Sequence, residues 1–240
     1  MSEQARTYPA LDVAWPSGAG GSAMLEDLLA AALDDLDPTA IQECAASWRV
    51  FFASAPARDR AASALLVLIE PSMGFGTGHH ATTRLCLRAL ASLDLRSRSF
   101  LDIGTGSGIL AIAACLLGAT PIIAIDTDPD AIESARSNLR LNGVTDRIQP
   151  VTDDFRHKRH LRAATVAANL TGGALVQGCQ ELARLVEGGG VLIVSGFTRE
   201  ETEQVHAALA RLGQIVSSDE EDGWCAATVR VNPEVRTSDA

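Results

Sequence analysis

Leu101-Asp102-Ile103-Gly104-Thr105-Gly106-Ser107-Gly108-Ile109 decides the reading of this chain. It follows an apolar run, Ser99 to Ile103, and leads into a segment with helical periodicity, Ile109 to Leu117. Glycines at such a strand-to-helix turn let the backbone bend sharply and let a ligand lie against it without Cβ interference. The spacing is Gly-x-Gly-x-Gly, whereas dinucleotide enzymes use Gly-x-Gly-x-x-Gly. Without a pyrophosphate to bind, an amino-acid moiety can lie over the glycines instead.

The next apolar run, Pro121 to Asp126, ends in an acidic residue 18 positions after Gly108. A carboxylate at that tip can accept hydrogen bonds from both hydroxyls of a ribose. A third run, Arg147 to Thr152, is followed by Asp153-Asp154, either of which can reach an adenine amino group; the plainer reading is a solvated acidic loop. Together these features point to an adenosyl ligand.

The pattern continues outward from the glycines. Strand signals at Thr165 to Asn169 and Gly190 to Ser195 alternate with helical segments at His80 to Leu93, Pro129 to Leu141, Gly173 to Val186 and Arg199 to Leu212. Asp128-Pro129 forms a helix start and Gly143 a helix stop. Short Ile/Leu/Val runs between helices specify a parallel sheet covered on both faces. At the carboxyl end, Gln214 to Ser218 and Trp224 to Val231 flank an acidic loop ending in Asp222-Gly223, a hairpin signal that requires one reversed strand. The expected fold is α/β: a doubly wound, seven-stranded, mainly parallel sheet with one antiparallel strand. A nicotinamide-binding domain normally lacks this ending. Residues 1–68 read as a separate Ala-rich appendage, of βαβ type or only partly ordered, with an amphipathic helix from Ser22 to Leu36, a strand from Trp48 to Ala53 and a linker around Pro56 to Ala64.

Composition narrows the function classes. The 240 residues carry a formal charge of −10, which disfavours non-specific nucleic-acid binding and accommodates a basic partner. Neither an uninterrupted apolar span nor a secretory leader is evident, so a cytoplasmic protein without membrane association is expected. The five cysteines, Cys44, Cys86, Cys115, Cys179 and Cys225, show no paired spacing and read as reduced.

Two further segments carry a family resemblance: Ile69-Glu70-Pro71-Ser72-Met73-Gly74-Phe75-Gly76-Thr77-Gly78-His79-His80-Ala81-Thr82-Thr83-Arg84-Leu85, and Asn169-Leu170-Thr171. The first closely resembles the segment preceding the catalytic domain in bacterial ribosomal protein L11 methyltransferases. The likeness extends over roughly residues 67 to 231. It implies S-adenosylmethionine as cofactor, with Thr83, Gly104, Asp126 and Asn169 contacting it and Phe75, Gly76 and His80 lining the same pocket; Gly106 and Asp154 are further candidate cofactor contacts from the glycine turn and the acidic pair themselves. It further implies a protein amine as acceptor, most directly a basic ribosomal protein, with Asn169 and the backbone oxygen of Leu170 holding the amine's hydrogens so that its lone pair faces the methyl group. Plainer roles exist: Thr83 as a helix-start hydroxyl, Phe75 as core packing, Asn169 as a buried amide between strands. No metal is required, since His79 and His80 lack further ligands nearby. Adenine-directed methyltransferases carry an aromatic residue after the strand-four Asn, and Leu170-Thr171 stands there instead, so protein nitrogen is the better acceptor. The chain departs from the family at Ser72, where glycine is usual, and in residues 1–68, which read as a reduced recognition segment and linker. Residues 69–232 read as the methyltransferase domain and 233–240 as a tail. The competing readings are a methyltransferase acting on another protein or a small amine, and a non-catalytic protein that binds S-adenosylmethionine.

Overall fold

The computed structural model describes residues 10–14, 38–44, 47–62, 67, 69, 80–157 and 161–233. The chain divides into two compact units, Met1–Leu68 with Leu141–Gly143, and Ile69–Arg140 with Val144–Ala240.

In the first unit, β1 (Ala10–Ala14), β2 (Ala40–Cys44) and β3 (Ser47–Phe51) form a sheet in the order β1-β3-β2, followed by α1 (Ala55–Ala62). Both pairings are antiparallel, which corrects the βαβ expectation. The reason is local: β2 and β3 are separated by two residues, too few for the crossover that parallel strands need. The helix expected at Ser22 to Leu36 lies outside the described residues.

The second unit is built on β4 (Phe100–Ile103), β5 (Ile122–Asp126), β6 (Ile148–Thr152), β7 (Ala163–Asn169), β8 (Val186–Thr198), β9 (Gly213–Glu221) and β10 (Trp224–Val231). Their order is β6-β5-β4-β7-β8-β10-β9. The pairs from β6 across to β8 are parallel, while β10 runs antiparallel to both β8 and β9. Helices α2 (Ala81–Ala91), α3 (Ile109–Leu116), α4 (Pro129–Leu141), α5 (Gly172–Arg184) and α6 (Thr202–Leu209) alternate with the strands. This is the doubly wound, seven-stranded, mainly parallel sheet that the sequence pattern predicts.

The chain leaves β4 toward β5 and β6 on one side and returns to β7 and β8 on the other. The direction of winding therefore reverses between β4 and β7, where an open α/β sheet forms a crevice at its carboxyl edge. Small residues let the layers close tightly there: Ala163 to Ala168 of β7 are all buried, as are seven of the eight residues of α3. Phe100, Leu101, Ile103, Ile112, Ile125 and Ile132 fill the centre of the unit, none more than 2% exposed.

Two strands outrun their sequence signals. β8 begins at Val186 and passes through Glu187-Gly188-Gly189-Gly190, where its register against β7 shifts. A Cβ on Gly190 would lie 2.6 Å from the Ala164 carbonyl oxygen, so the glycine lets the strand keep close pairing. β9 extends to Glu221 because pairing with β10 continues to the turn and its acidic side chains can face solvent. Asp222 and Gly223 have φ of 53° and 79°, the type I′ geometry that matches strand twist. No helix among the described residues is long and apolar enough to cross a membrane.

Candidate functional site

The glycine turn after β4 is held from three sides. The amides of Gly104 and Thr105 donate to the Ile125 carbonyl at 2.9 and 3.0 Å, and the Gly106 amide donates to Asp126 Oδ2 at 3.0 Å. Asn138 on α4 donates to the Ser107 carbonyl at 2.8 Å. Gly104, Gly106 and Gly108 all have positive φ, and a Cβ on Gly104 would lie 2.6 Å from Leu170 Cδ2. The missing side chain is therefore a requirement of both backbone conformation and close approach.

Asp102 lies beneath the turn, 1% exposed. Its Oδ2 accepts from the Thr105 hydroxyl at 2.7 Å and the Ala111 amide at 3.1 Å, while Oδ1 has no partner among the described residues. Burial pushes its carboxyl up to about 6, against the lowering effect of those two hydrogen bonds.

Gly104, Asp126, Asp154, Phe155, Leu170 and Gly178 are among the residues lining a cavity of about 330 Å³ at the carboxyl edge of the sheet. That volume falls in the size range of small-molecule sites. Asp126 forms one wall; its Oδ1 accepts from the Asp128 amide at 3.0 Å, so the carboxylate ties the β5 turn to the glycine turn and still has lone pairs to spare. Asp154 is gripped by the Arg156 guanidinium, whose hydrogen bonds hold its carboxyl down to about 2. Asp153 instead uses Oδ1 to accept from the Asp154 amide. A ligand amino group would share Asp154 with Arg156.

β7 ends in Asn169, and Leu170, which follows it, lines the cavity. The Leu170 amide donates to the Ser195 carbonyl at 2.9 Å, and the Leu170 carbonyl packs so closely on Gly196 that a Cβ there would lie 2.2 Å from its oxygen. Asn169 Nδ2 donates to Thr82 Oγ1 at 3.2 Å. Thr82 Oγ1 lies 2.8 Å from Nδ1 of His80, the N-cap of α2, and the His80 ring meets Trp224 edge-on with centroids 4.9 Å apart.

Of the residues singled out from sequence, Gly104, Asp126, Asp154 and Leu170 converge on the cavity, and Gly106 joins them through its bond to Asp126. His80 and Asn169 meet each other through Thr82, and neither is among the residues lining the cavity. Thr83 is buried in the first turn of α2, its amide donating to the His80 carbonyl. Phe75 and Gly76 lie outside the described residues. Sequence reasoning passed over Thr82, Phe155, Gly196 and Trp224. Thr82 adjoins Thr83 at a helix start and Trp224 follows the hairpin turn, but nothing local in the sequence indicates that they meet His80.

A sequence model of the ribosomal protein L11 methyltransferases matches residues 26–232, most of the chain. The chain belongs to the ribosomal protein L11 methyltransferase family. Among curated family members, one from Escherichia coli is 40% identical over 170 residues, covering 71% of this chain and 58% of the relative. A Klebsiella pneumoniae member is 39% identical over the same length and with the same coverage. The chain thus spans about three fifths of the length of the curated relatives it matches. A solved ribosomal protein L11 methylase from Lactobacillus delbrueckii subsp. bulgaricus superposes with a TM-score of 0.61 at 27% identity, over 65% of this chain and 81% of that one. An RNA methyltransferase from Salinibacter ruber, solved with S-adenosyl-L-homocysteine, superposes with a TM-score of 0.52 at 18% identity, over 65% of this chain and 95% of that one; this likeness is one of fold alone.

Proposed function

We propose that the chain transfers methyl groups from S-adenosylmethionine to amine nitrogens, lysine side chains or an N-terminal amine, of a protein acceptor, and that this acceptor is ribosomal protein L11, the protein named for its relatives. The observation that carries the reading is the Leu170 side chain set against Gly104 in a cavity that Asp126 also lines, with Asn169 next to Leu170 at the end of β7. The residues suit the cofactor on their own chemistry. Gly104 lines the cavity with backbone alone, Asp126 retains acceptor capacity for ribose hydroxyls, and Asp154 and Phe155 offer an anionic and an apolar contact to an adenine.

When bound, S-adenosylmethionine supplies a methyl group already activated on a sulfonium. What remains for the chain is to hold the acceptor in line and exclude water. An amine must be neutral to attack, and a lysine in water titrates near ~10.4. Desolvation beside Leu170 favours loss of that proton. With Nδ2 of Asn169 engaged by Thr82, its Oδ1 is the end left to accept an amine hydrogen, and the Leu170 carbonyl is the second acceptor.

In this reading Thr83, His80, Phe75 and Gly76 serve the cofactor, residues 69–232 form the methyltransferase domain, 233–240 a tail, and residues 1–68 select the acceptor. The protein works in the cytoplasm, where the free thiols of Cys86, Cys115, Cys179 and Cys225 stay reduced. Calorimetric titration with S-adenosylhomocysteine tests the reading at its base. Saturable binding that weakens several-fold or more in Asp126→Ala, which loses a pair of hydrogen bonds, is expected; equal affinity in both proteins would remove Asp126 from the site.

A further inference from the structure

Nδ1 of His80 accepts the Thr82 amide at 3.4 Å while lying 2.8 Å from the Thr82 hydroxyl oxygen. A ring nitrogen that accepts a backbone N–H presents a lone pair, so the short contact to the hydroxyl is one in which the hydroxyl donates. Thr82 has a single hydroxyl proton. Once that proton is directed at His80, the oxygen has only lone pairs to offer Asn169. The amide must then turn Nδ2 toward Thr82, 3.2 Å away, because the flipped amide would set oxygen against oxygen.

We propose that His80 and Thr82 are positioning residues that fix which way round Asn169 presents its amide, keeping the carbonyl Oδ1 aimed at the acceptor amine. The proposal rests on the role given above to Asn169 and adds the device that orients it. Without the device, the two ends of the amide are close in shape and opposite in polarity, and a flipped Asn169 would point an N–H₂ group at an amine that needs an acceptor.

The surroundings support a fixed arrangement. Trp224 braces the imidazole edge-on at an interplanar angle of 65°. The turn that carries Trp224 is itself anchored to α2, since Arg84 and Arg88 both bond the Glu221 carboxylate. On the other side, Asn169 Oδ1 lies 3.1 Å from where a Gly196 Cβ would sit, so the glycine leaves this oxygen room that any side chain would narrow. The reversed strand thus holds a helix start, and the helix start sets a proton order that ends at Asn169, next to the cavity-lining Leu170.

The test is nitrogen-15 NMR of the full chain, joined to kinetics. We expect the His80 ring protonated on Nε2 and unprotonated on Nδ1. The Asn169 side-chain amide signals should shift in Thr82→Val and return in Thr82→Ser, which restores the hydroxyl. A proton on Nδ1, or Asn169 signals indifferent to Thr82→Val, would overturn the proposal with no assay of activity needed. In methylation of purified L11, Thr82→Val should lower kcat about tenfold or more, as misalignment of reacting groups does, with affinity for S-adenosylhomocysteine unchanged. The same substitution should cause no further loss in Asn169→Ala. An equal loss in both backgrounds would mean that Thr82 acts through general structure and not through Asn169. Wild-type turnover in Asn169→Ala would instead sink the role of Asn169 itself, an outcome distinct from the proton order that the NMR signals read.

Discussion

Replacing Gly104 by alanine tests the close approach on which the site is built. Its φ of +70° disfavours any residue with a Cβ by about 1–2 kcal/mol. The new methyl would also lie 2.6 Å from Leu170 Cδ2, so that side chain must leave its rotamer at a cost of about 0.5–1.5 kcal/mol. The two effects together come to roughly 1.5–3.5 kcal/mol of stability. Gly223→Ala is the matched control: φ is +79°, yet nothing stands within 4 Å of the added Cβ, so only the backbone effect of about 1–2 kcal/mol applies. Guanidinium unfolding of both variants gives the difference. Because the displaced Leu170 moves into the cavity, Gly104→Ala should also weaken S-adenosylhomocysteine about tenfold, near 1.4 kcal/mol, while Gly223→Ala leaves affinity unchanged. In a Leu170→Ala background the excess cost of Gly104→Ala should vanish. Equal destabilisation by the two glycine substitutions, or an excess that survives Leu170→Ala, would refute the claim that Leu170 closes over Gly104.

Asp102 titrates in the direction of a buried, half-partnered acid, from an ordinary value of 3.8 up to about 6. Because the folded-state value is raised, its favourable contribution is fully present below pH 3.8 and is lost as pH rises through about 6. Unfolding measured from about pH 4 to about pH 7 should show that decline in the wild type and a flatter profile in Asp102→Asn; identical profiles would mean that Asp102 ionises as freely as in water. Asp126→Asn should weaken S-adenosylhomocysteine less than Asp126→Ala does, because the amide keeps one acceptor for the Gly106 or Asp128 amide, as titration of the two variants would reveal. Glu221→Gln should lower kcat more than cofactor affinity, since Arg84 and Arg88 lose the carboxylate that anchors the turn bearing Trp224; a change confined to affinity would place the clamp on the cofactor side instead.

Where a local rule suffices, the sequence is readable. Gly104, Gly106 and Gly108 stand where the backbone needs positive φ, Asp126 ends an apolar run at a strand tip, and Asp222-Gly223 demands a reversed strand. The parallel sheet follows from Ile/Leu/Val runs spaced by helices, and its order places Gly104 and Leu170 just beyond the ends of adjacent strands β4 and β7. Elsewhere pairing overrides the local signal. Gly188 to Gly190 look like a break, yet β8 runs through them because neighbouring strands supply the hydrogen bonds. The antiparallel pairing of β1 with β3 joins Ala10 to Phe51 and Ala14 to Ser47, segments too far apart in the chain to leave a periodic trace. Asp154 was legible as an acidic side chain after β6, while its capture by Arg156 depends on the conformation of the following 3-10 turn. The contact between Thr82 and Asn169 spans 87 residues, and those from Glu221 to Arg84 and Arg88 span 137 and 133. Contacts of that reach arise from the strand order, which composition and periodicity do not encode.

Transfer of label from S-adenosylmethionine to purified ribosomal protein L11, beside a lysate from cells lacking this chain, is the direct test of the central claim. The account predicts label on L11 with the wild-type chain and little with Asn169→Ala, although that variant still binds S-adenosylhomocysteine. Label confined to another band would keep the chemistry and replace the acceptor, and no label on any protein while S-adenosylhomocysteine binds normally would contradict the assignment of this site as a protein methyltransferase.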